Sequence, residues 1–273
     1  MRKAVVGVIL LAFVAGAGAR HLLPRLIVPH SVPVPAAVLH DDTTVYRTNF
    51  QRRPVPVACT TDPLVILTLG QSNAANYGGA LHRAGPDTVN FYDGRCYAAV
   101  DPLLGASGDR GSVWTLVGDR LATAMRKVVL VPLAIGSTRM EEWAPGGRLH
   151  ARIDVAVTQL AAAGLRPDMS LVVQGEAEGD GKGDPVAYEA AGIALMRSLP
   201  GRTFLATTTR CWGVANPAIR RAQARIRAAS GAAAGPDMDA LPNTLRVNGC
   251  HYTDAGMARL ARDWATALAP SAS

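Results

Sequence analysis

Aromatic residues make up only 5% of this 273-residue chain, and neither an internal repeat nor a long low-complexity tract is present. A repeat array and a compositionally biased scaffold are therefore excluded. Leaving His251 aside, the histidines offer no metal-ligand pattern with cysteine or acidic neighbours. His82 and His150 stand without such partners, and His21, His30 and His40 lie near the N-terminus. No metal and no cofactor is expected. A phosphate loop is also lacking: Gly175 to Gly183 is glycine-rich, but no Ser or Thr follows Lys182 and the glycines are misplaced. The chain has no basic stripe in its folding part. Net charge is +7, yet Arg2, Lys3, Arg20, Arg25, Arg47, Arg52 and Arg53 stand against only Asp41 and Asp42 in the first 56 residues. Arg220, Arg221, Arg225 and Arg227 fall on one helix whose Ile219 and Ile226 face elsewhere, which is the pattern of a solvated face. Nucleic acid is not an expected partner.

What is present is enough apolar residue, 49%, for one α/β domain of about 200 residues with a full core. Apolar runs alternate with amphipathic stretches, as in parallel strands joined by crossover helices. The pattern predicts strands at 63–69, 128–134, 169–173 and 203–208. Helices are predicted at about 112–126, 149–164, 186–198, 216–229 and 254–268. The last shows Met257, Leu260, Ala261, Trp264, Ala267 and Leu268 at helical spacing, with Thr253 or Asp254 as its cap. Residues 75–111 read as a glycine-rich, irregular insertion.

The N-terminus reads as an export signal at 1–19: Arg2-Lys3, an uncharged run from Ala4 to Ala19, and a small-x-small site at Ala17-Gly18-Ala19. Sixteen helical residues reach roughly 24 Å, short of a bilayer core, so this is a signal peptide or, if uncleaved, an anchor in the inner membrane. Pro24, Pro29, Pro33, Pro35, Pro54 and Pro56 make 20–56 an extended tether. The expected location is periplasmic or secreted, and the folded domain spans 57–270.

Three segments carry chemistry. Gly70-Gln71-Ser72-Asn73-Ala74 follows the run Pro63 to Leu69 and puts a serine at the carboxyl end of a buried strand, where open α/β sheets hold ligands. Ala74 stands where a G-x-S-x-G elbow needs glycine. Gln174-Gly175-Glu176 ends a second strand, and Asn248-Gly249-Cys250-His251 precedes the last helix.

In this order the segments resemble the SGNH/GDSL hydrolase superfamily, in its sialate O-acetylesterase-like branch with the acetyl-xylan esterases of carbohydrate esterase family six. Leu133-Ala134-Ile135-Gly136-Ser137-Thr138, with Glu142-Trp143, is similar to the family's oxyanion-glycine block. The likeness covers about residues 57 to 270. It implies a three-layer α/β/α sandwich with a flavodoxin-like, mostly parallel five-stranded sheet. Residues 88–92 or 244–248 are the candidates for the fifth strand. It also implies an acetylated carbohydrate or other small ester as substrate. Ser72 would be the nucleophile and His251 the base, with Gln174 and the amides of Ser72 and Gly136 at the oxyanion. Gln71, Asn73, Glu176 and Trp143 are candidates for the substrate side, Asn73 rather holding the serine turn, and Trp143 or Trp114 could stack a sugar.

The family's triad acid stands three residues before the histidine, where this chain has Asn248. Glu176 or Asp254 could replace the acid, Asn248 could orient the imidazole in a Ser–His dyad, or the site could be inactive and only bind sugar. Acyl transfer to a polysaccharide would use the same residues. Four cysteines in an exported chain suggest two disulfides. Three pairings are open. If the strand ends meet at the catalytic rim, Cys211–Cys250 would pin the histidine loop and Cys59–Cys96 would clamp the entry to the first strand.

Overall fold

A computed structural model describes residues 54–123 and 126–269. The leader at 1–19, its histidine-bearing continuation and nearly all of the tether at 20–56 lie outside the described residues. Among the described residues no helix is long and apolar enough to cross a membrane.

The central strand is β2 (Leu64–Gly70), buried along its whole length. It lies between two parallel partners, β5 (Val128–Pro132) and β6 (Met169–Val173). A strand covered on both faces has no solvent side, hence its continuous apolar run. Beyond β6 follow β7 (Arg202–Thr207) and β8 (Ala233–Asp237), both parallel. The order β5-β2-β6-β7-β8 is that of a flavodoxin-like sheet. The expected five-stranded, mostly parallel core is therefore present.

Three strands extend it at the β5 edge. β3 (Thr88–Tyr92) runs parallel to β5, β4 (Arg95–Ala98) antiparallel to β3, and β1 (Pro56–Val57) antiparallel to β4. Residues 75–111 are thus not wholly irregular, because they contain the β3–β4 hairpin. The candidates for the fifth core strand need correction. Residues 88–92 form a strand, but as part of this extension. Within 244–248 only β9 (Arg246–Val247) is extended, and it pairs with β10 (His251–Tyr252) in a separate hairpin.

Alternation along the strands divides the core into two. On one face α1 (Val113–Leu121) and α7 (Asp254–Leu268) bring Trp114 and Trp264 onto Ile66, Leu130, Leu171 and Phe204. On the other, α3 (His150–Ala162), α5 (Pro185–Ser198) and α6 (Pro217–Ser230) cover Val65, Leu67, Val129, Val172 and Leu205. This is the expected three-layer sandwich. Two single-turn helices, α2 (Met140–Trp143) and α4 (Glu176–Gly179), lie just after β5 and β6. Thr253 caps α7 by accepting from the Gly256 amide at 3.2 Å. The predicted helix at 112–126 stops at Leu121.

Both expected disulfides, Cys59–Cys96 and Cys211–Cys250, are formed. The first joins the chain's entry to β4, the second joins the loop after β7 to the β9–β10 hairpin.

Candidate active site

At the end of β2 the chain turns sharply. Gly70 has φ +118°, and a Cβ there would collide with the Val173 carbonyl at the end of β6. Only glycine lets the two strand ends lie this close. The Gln71 amide then donates to that carbonyl at 3.1 Å, and Ser72–Ala74 form a 3-10 turn. Ser72 consequently faces a cavity of about 280 Å³ at the carboxyl edge of the sheet. His251, Gly136, Tyr77, Arg139 and Trp212 line the same cavity. The three distant sequence segments do converge, although Gln174 is not among the lining residues.

His251 opens β10, directly after the turn Val247–Cys250, in which the Cys250 amide donates to the Val247 carbonyl at 3.1 Å. Asn248 and Gly249 at its centre have φ +51° and +73°. Positive φ at both central positions is the type I′ pattern, and Asn-Gly is its preferred pair. One face of the His251 ring stacks on Tyr77, with centroids 5.4 Å apart and planes 23° apart. Burial, then the nearby charges of Arg110 and Arg246, hold the imidazole below its usual pKa. The neutral, proton-accepting form is thereby favoured. A neighbouring cavity of about 140 Å³ also touches His251 and Tyr77, and is lined by Asp109, Arg110 and Asn248. Among the described residues no carboxylate hydrogen-bonds to His251 and neither does Asn248.

Several expected roles are corrected by these contacts. Gln174 is fully buried, and its amide donates to Thr138 O at 2.6 Å, Gln71 Oε1 at 3.0 Å and Glu178 Oε2 at 3.1 Å. It stitches the ends of β2 and β6 together and offers nothing to an oxyanion. The Gly136 amide borders the cavity but donates to Ser107 Oγ at 2.7 Å. Gln71 lines the cavity, yet its side-chain carbonyl accepts from the Ala177 amide at 2.9 Å as well as from Gln174. Asn73 donates to Glu176 Oε1 at 2.7 Å, so it anchors the serine turn.

Glu176 is not the missing acid of the imidazole. Its Oε1 also accepts from Thr208 at 2.8 Å, its Oε2 is buried without a partner, and burial raises its pKa. Asp254 accepts from the Ala80 amide at 2.6 Å and makes no hydrogen bond to His251. Trp143 and Trp114 are fully buried, their indole N–H groups bonded to Thr138 Oγ1 and Ala74 O. Neither can reach a sugar. Trp212, 71% exposed at the cavity mouth, can.

Tyr77, Trp212, Arg139 and Ser107 were not found by sequence reasoning. Only Trp212 had a signal there, since it follows Cys211 and shares that cysteine's tie to Cys250. Arg139 brings a guanidinium with no ion-pair partner among the described residues to the wall beside Ser137, whose φ is +62°. A non-glycine residue in that region is strained, and such strain clusters at functional sites. No group of three or more His, Cys, Asp or Glu among the described residues could hold a metal.

No family model and no curated protein matches the chain. Solved structures do. A protein from Arabidopsis thaliana is 19% identical with a TM-score of 0.60, covering 76% of this chain and 97% of its own. The acetylxylan esterase Axe2 from Geobacillus stearothermophilus is 16% identical with a TM-score of 0.52, covering 77% and 96%. A carbohydrate acetylesterase from Xanthomonas citri is 15% identical with a TM-score of 0.51, covering 74% of this chain but only 55% of its own. At these identities the likeness is one of fold: this chain shares their α/β/α architecture.

Proposed function

We propose that the chain is an exported serine esterase that removes acetyl or similar acyl groups from carbohydrate, with Ser72 as nucleophile and His251 as base. One observation carries the reading: Ser72 and His251 line a single cavity at the carboxyl edge of the parallel sheet. His251 takes the Ser72 proton as Oγ adds to the acyl carbon, then returns it to the departing sugar hydroxyl. Water repeats the sequence on the acyl-serine. The Ser72 amide opens a 3-10 turn, has no partner within it, and serves as one donor to the oxyanion. The substrate class is supported by the fold neighbours and by the Trp212 indole at the mouth, an apolar face suited to a sugar ring. Two disulfides and an apolar leader support export.

Asn248 favours a second reading, a weak or inactive sugar-binding protein on an esterase scaffold. Acyl transfer would differ only in the acceptor that replaces water. Acetate release from p-nitrophenyl acetate and from acetylated oligosaccharides tests the first reading. The expected outcome is turnover of both, abolished in Ser72→Ala. Binding of the sugar without any turnover would favour the second reading, and acyl-glycan product with an added acceptor the third.

A further inference from the structure

We infer that Tyr77 is a catalytic residue of this cavity, its hydroxyl donating to the developing oxyanion and its ring supporting His251. The inference rests on the esterase reading above and identifies a group that the familiar motifs leave unassigned.

The reasoning begins with the donors. Hydrolysis places negative charge on the acyl oxygen, and at least two hydrogen-bond donors usually face it. The Ser72 amide is one. Gln174 is unavailable, because it is fully buried under the turn and tied to Thr138, Gln71 and Glu178. The Gly136 amide is engaged by Ser107 Oγ. Tyr77 lines the same cavity as Ser72, and a Cβ built on Gly136 would meet its hydroxyl oxygen at 2.7 Å. That hydroxyl therefore lies against the backbone segment from which the second donor would otherwise come. It has no hydrogen-bond partner among the described residues. A phenolic O–H so placed is a ready donor to an oxyanion.

The second part concerns the base. When Ser72 adds to the acyl carbon, His251 becomes imidazolium, and among the described residues no carboxylate hydrogen-bonds to it. Arg110 and Arg246 act against that charge. What does face the ring is Tyr77, stacked at 5.4 Å between centroids. An aromatic face within about 6 Å attracts a cation, and the stack also fixes the plane of the imidazole. A tyrosine that merely filled space would need neither its hydroxyl in the cavity nor its ring on the base. Tyr77 has both.

The test compares native protein, Ser72→Ala, Tyr77→Phe and Tyr77→Leu on p-nitrophenyl acetate, with kcat and KM separated and kcat/KM followed against pH. Phenylalanine keeps the stack and removes the donor. Tyr77→Phe should lower kcat by about 10²-fold, with KM and melting temperature close to native. Tyr77→Leu should fall further and move the acid limb of the pH profile. A Tyr77→Phe kcat within about threefold of native would overturn the donor role, since removing a donor costs far more. If leucine behaved like phenylalanine, support of His251 by the ring would be refuted. Should Tyr77→Leu not fold, the phenylalanine variant still decides the donor. Native protein with no Ser72-dependent turnover would instead remove the esterase reading, and this role with it.

Discussion

Asn248 occupies the first central position of a turn whose two middle residues both have positive φ. Asparagine tolerates that conformation better than most residues and aspartate is also favoured there. Local turn chemistry alone therefore accounts for an amide at this position. Asn248→Asp should keep the turn, bring a carboxylate beside the imidazole and raise its pKa. On the esterase proposal turnover is expected to rise by about tenfold, short of the roughly 10⁴-fold effect of an aspartate bonded directly to its histidine in a serine protease, since Asn248 shares a cavity with His251 without a hydrogen bond to it. The measurement is kcat/KM against pH, where the acid limb should move up as kcat increases. Ser72 and His251 were legible as residues because their surroundings, a strand end and a capped helix start, are local patterns. The tryptophans were not. Nothing in the residues around Trp143 separates burial from exposure, and only tertiary packing gives Trp212 the outward place. Gln174 failed for a similar reason. Its fate depends on Glu178 nearby and on Thr138 and Gln71, two partners drawn from distant segments.

Helices with amphipathic spacing and strands with apolar runs were readable from sequence, and strands without such runs were not. β2, β5, β6 and β7 each carry buried β-branched or large apolar residues. β8 reads Ala-Ala-Gly-Pro-Asp, which has no strand pattern, and it is extended because β7 offers it an edge. Proline is tolerated on such an outer strand. The hairpin that carries His251 is shorter still, two residues paired with two. Pairs this small have little stability of their own. The Cys211–Cys250 bond supplies an anchor, and it simultaneously holds Trp212, whose amide donates to the Gly249 carbonyl at 3.1 Å. Closing a loop of 39 residues corresponds to about 3–4 kcal/mol in the chain-entropy account. Replacing both cysteines by serine should lower the melting temperature and lower kcat by a larger factor than it affects folding at 25 °C. Paired melting curves and turnover assays would show whether activity falls while the protein is still folded.

For the molecule as a whole, burial raises three carboxyl groups. Asp101 is pushed up to about 7, Glu178 to about 7, and Glu176 is raised as well. In each case the folded state holds a proton that the unfolded chain releases near pH 4. Stability is therefore full below that point and falls as pH rises towards 7, with a slope of about 1.4 kcal/mol per pH unit for each proton of difference. His251, lowered by burial, has the opposite slope between its folded value and 6.5. One histidine against three carboxyls leaves the fall in stability dominant. The melting temperature should be higher at pH 5 than at pH 7.5, and Asp101→Asn should flatten the difference. Differential scanning calorimetry across that range is the measurement.

The proposed nucleophile and the proposed base are mounted very differently. Ser72 extends from a strand bonded on both sides, in the middle of the sheet. His251 hangs from a two-rung ladder that a sulfur bridge secures. Amide protons around Leu67 should exchange only with global unfolding and those around His251 through a smaller, local opening, a contrast that hydrogen exchange read by mass spectrometry checks. If the esterase proposal holds, the population of competent molecules at a given temperature should follow the closing of this hairpin rather than the integrity of the sheet.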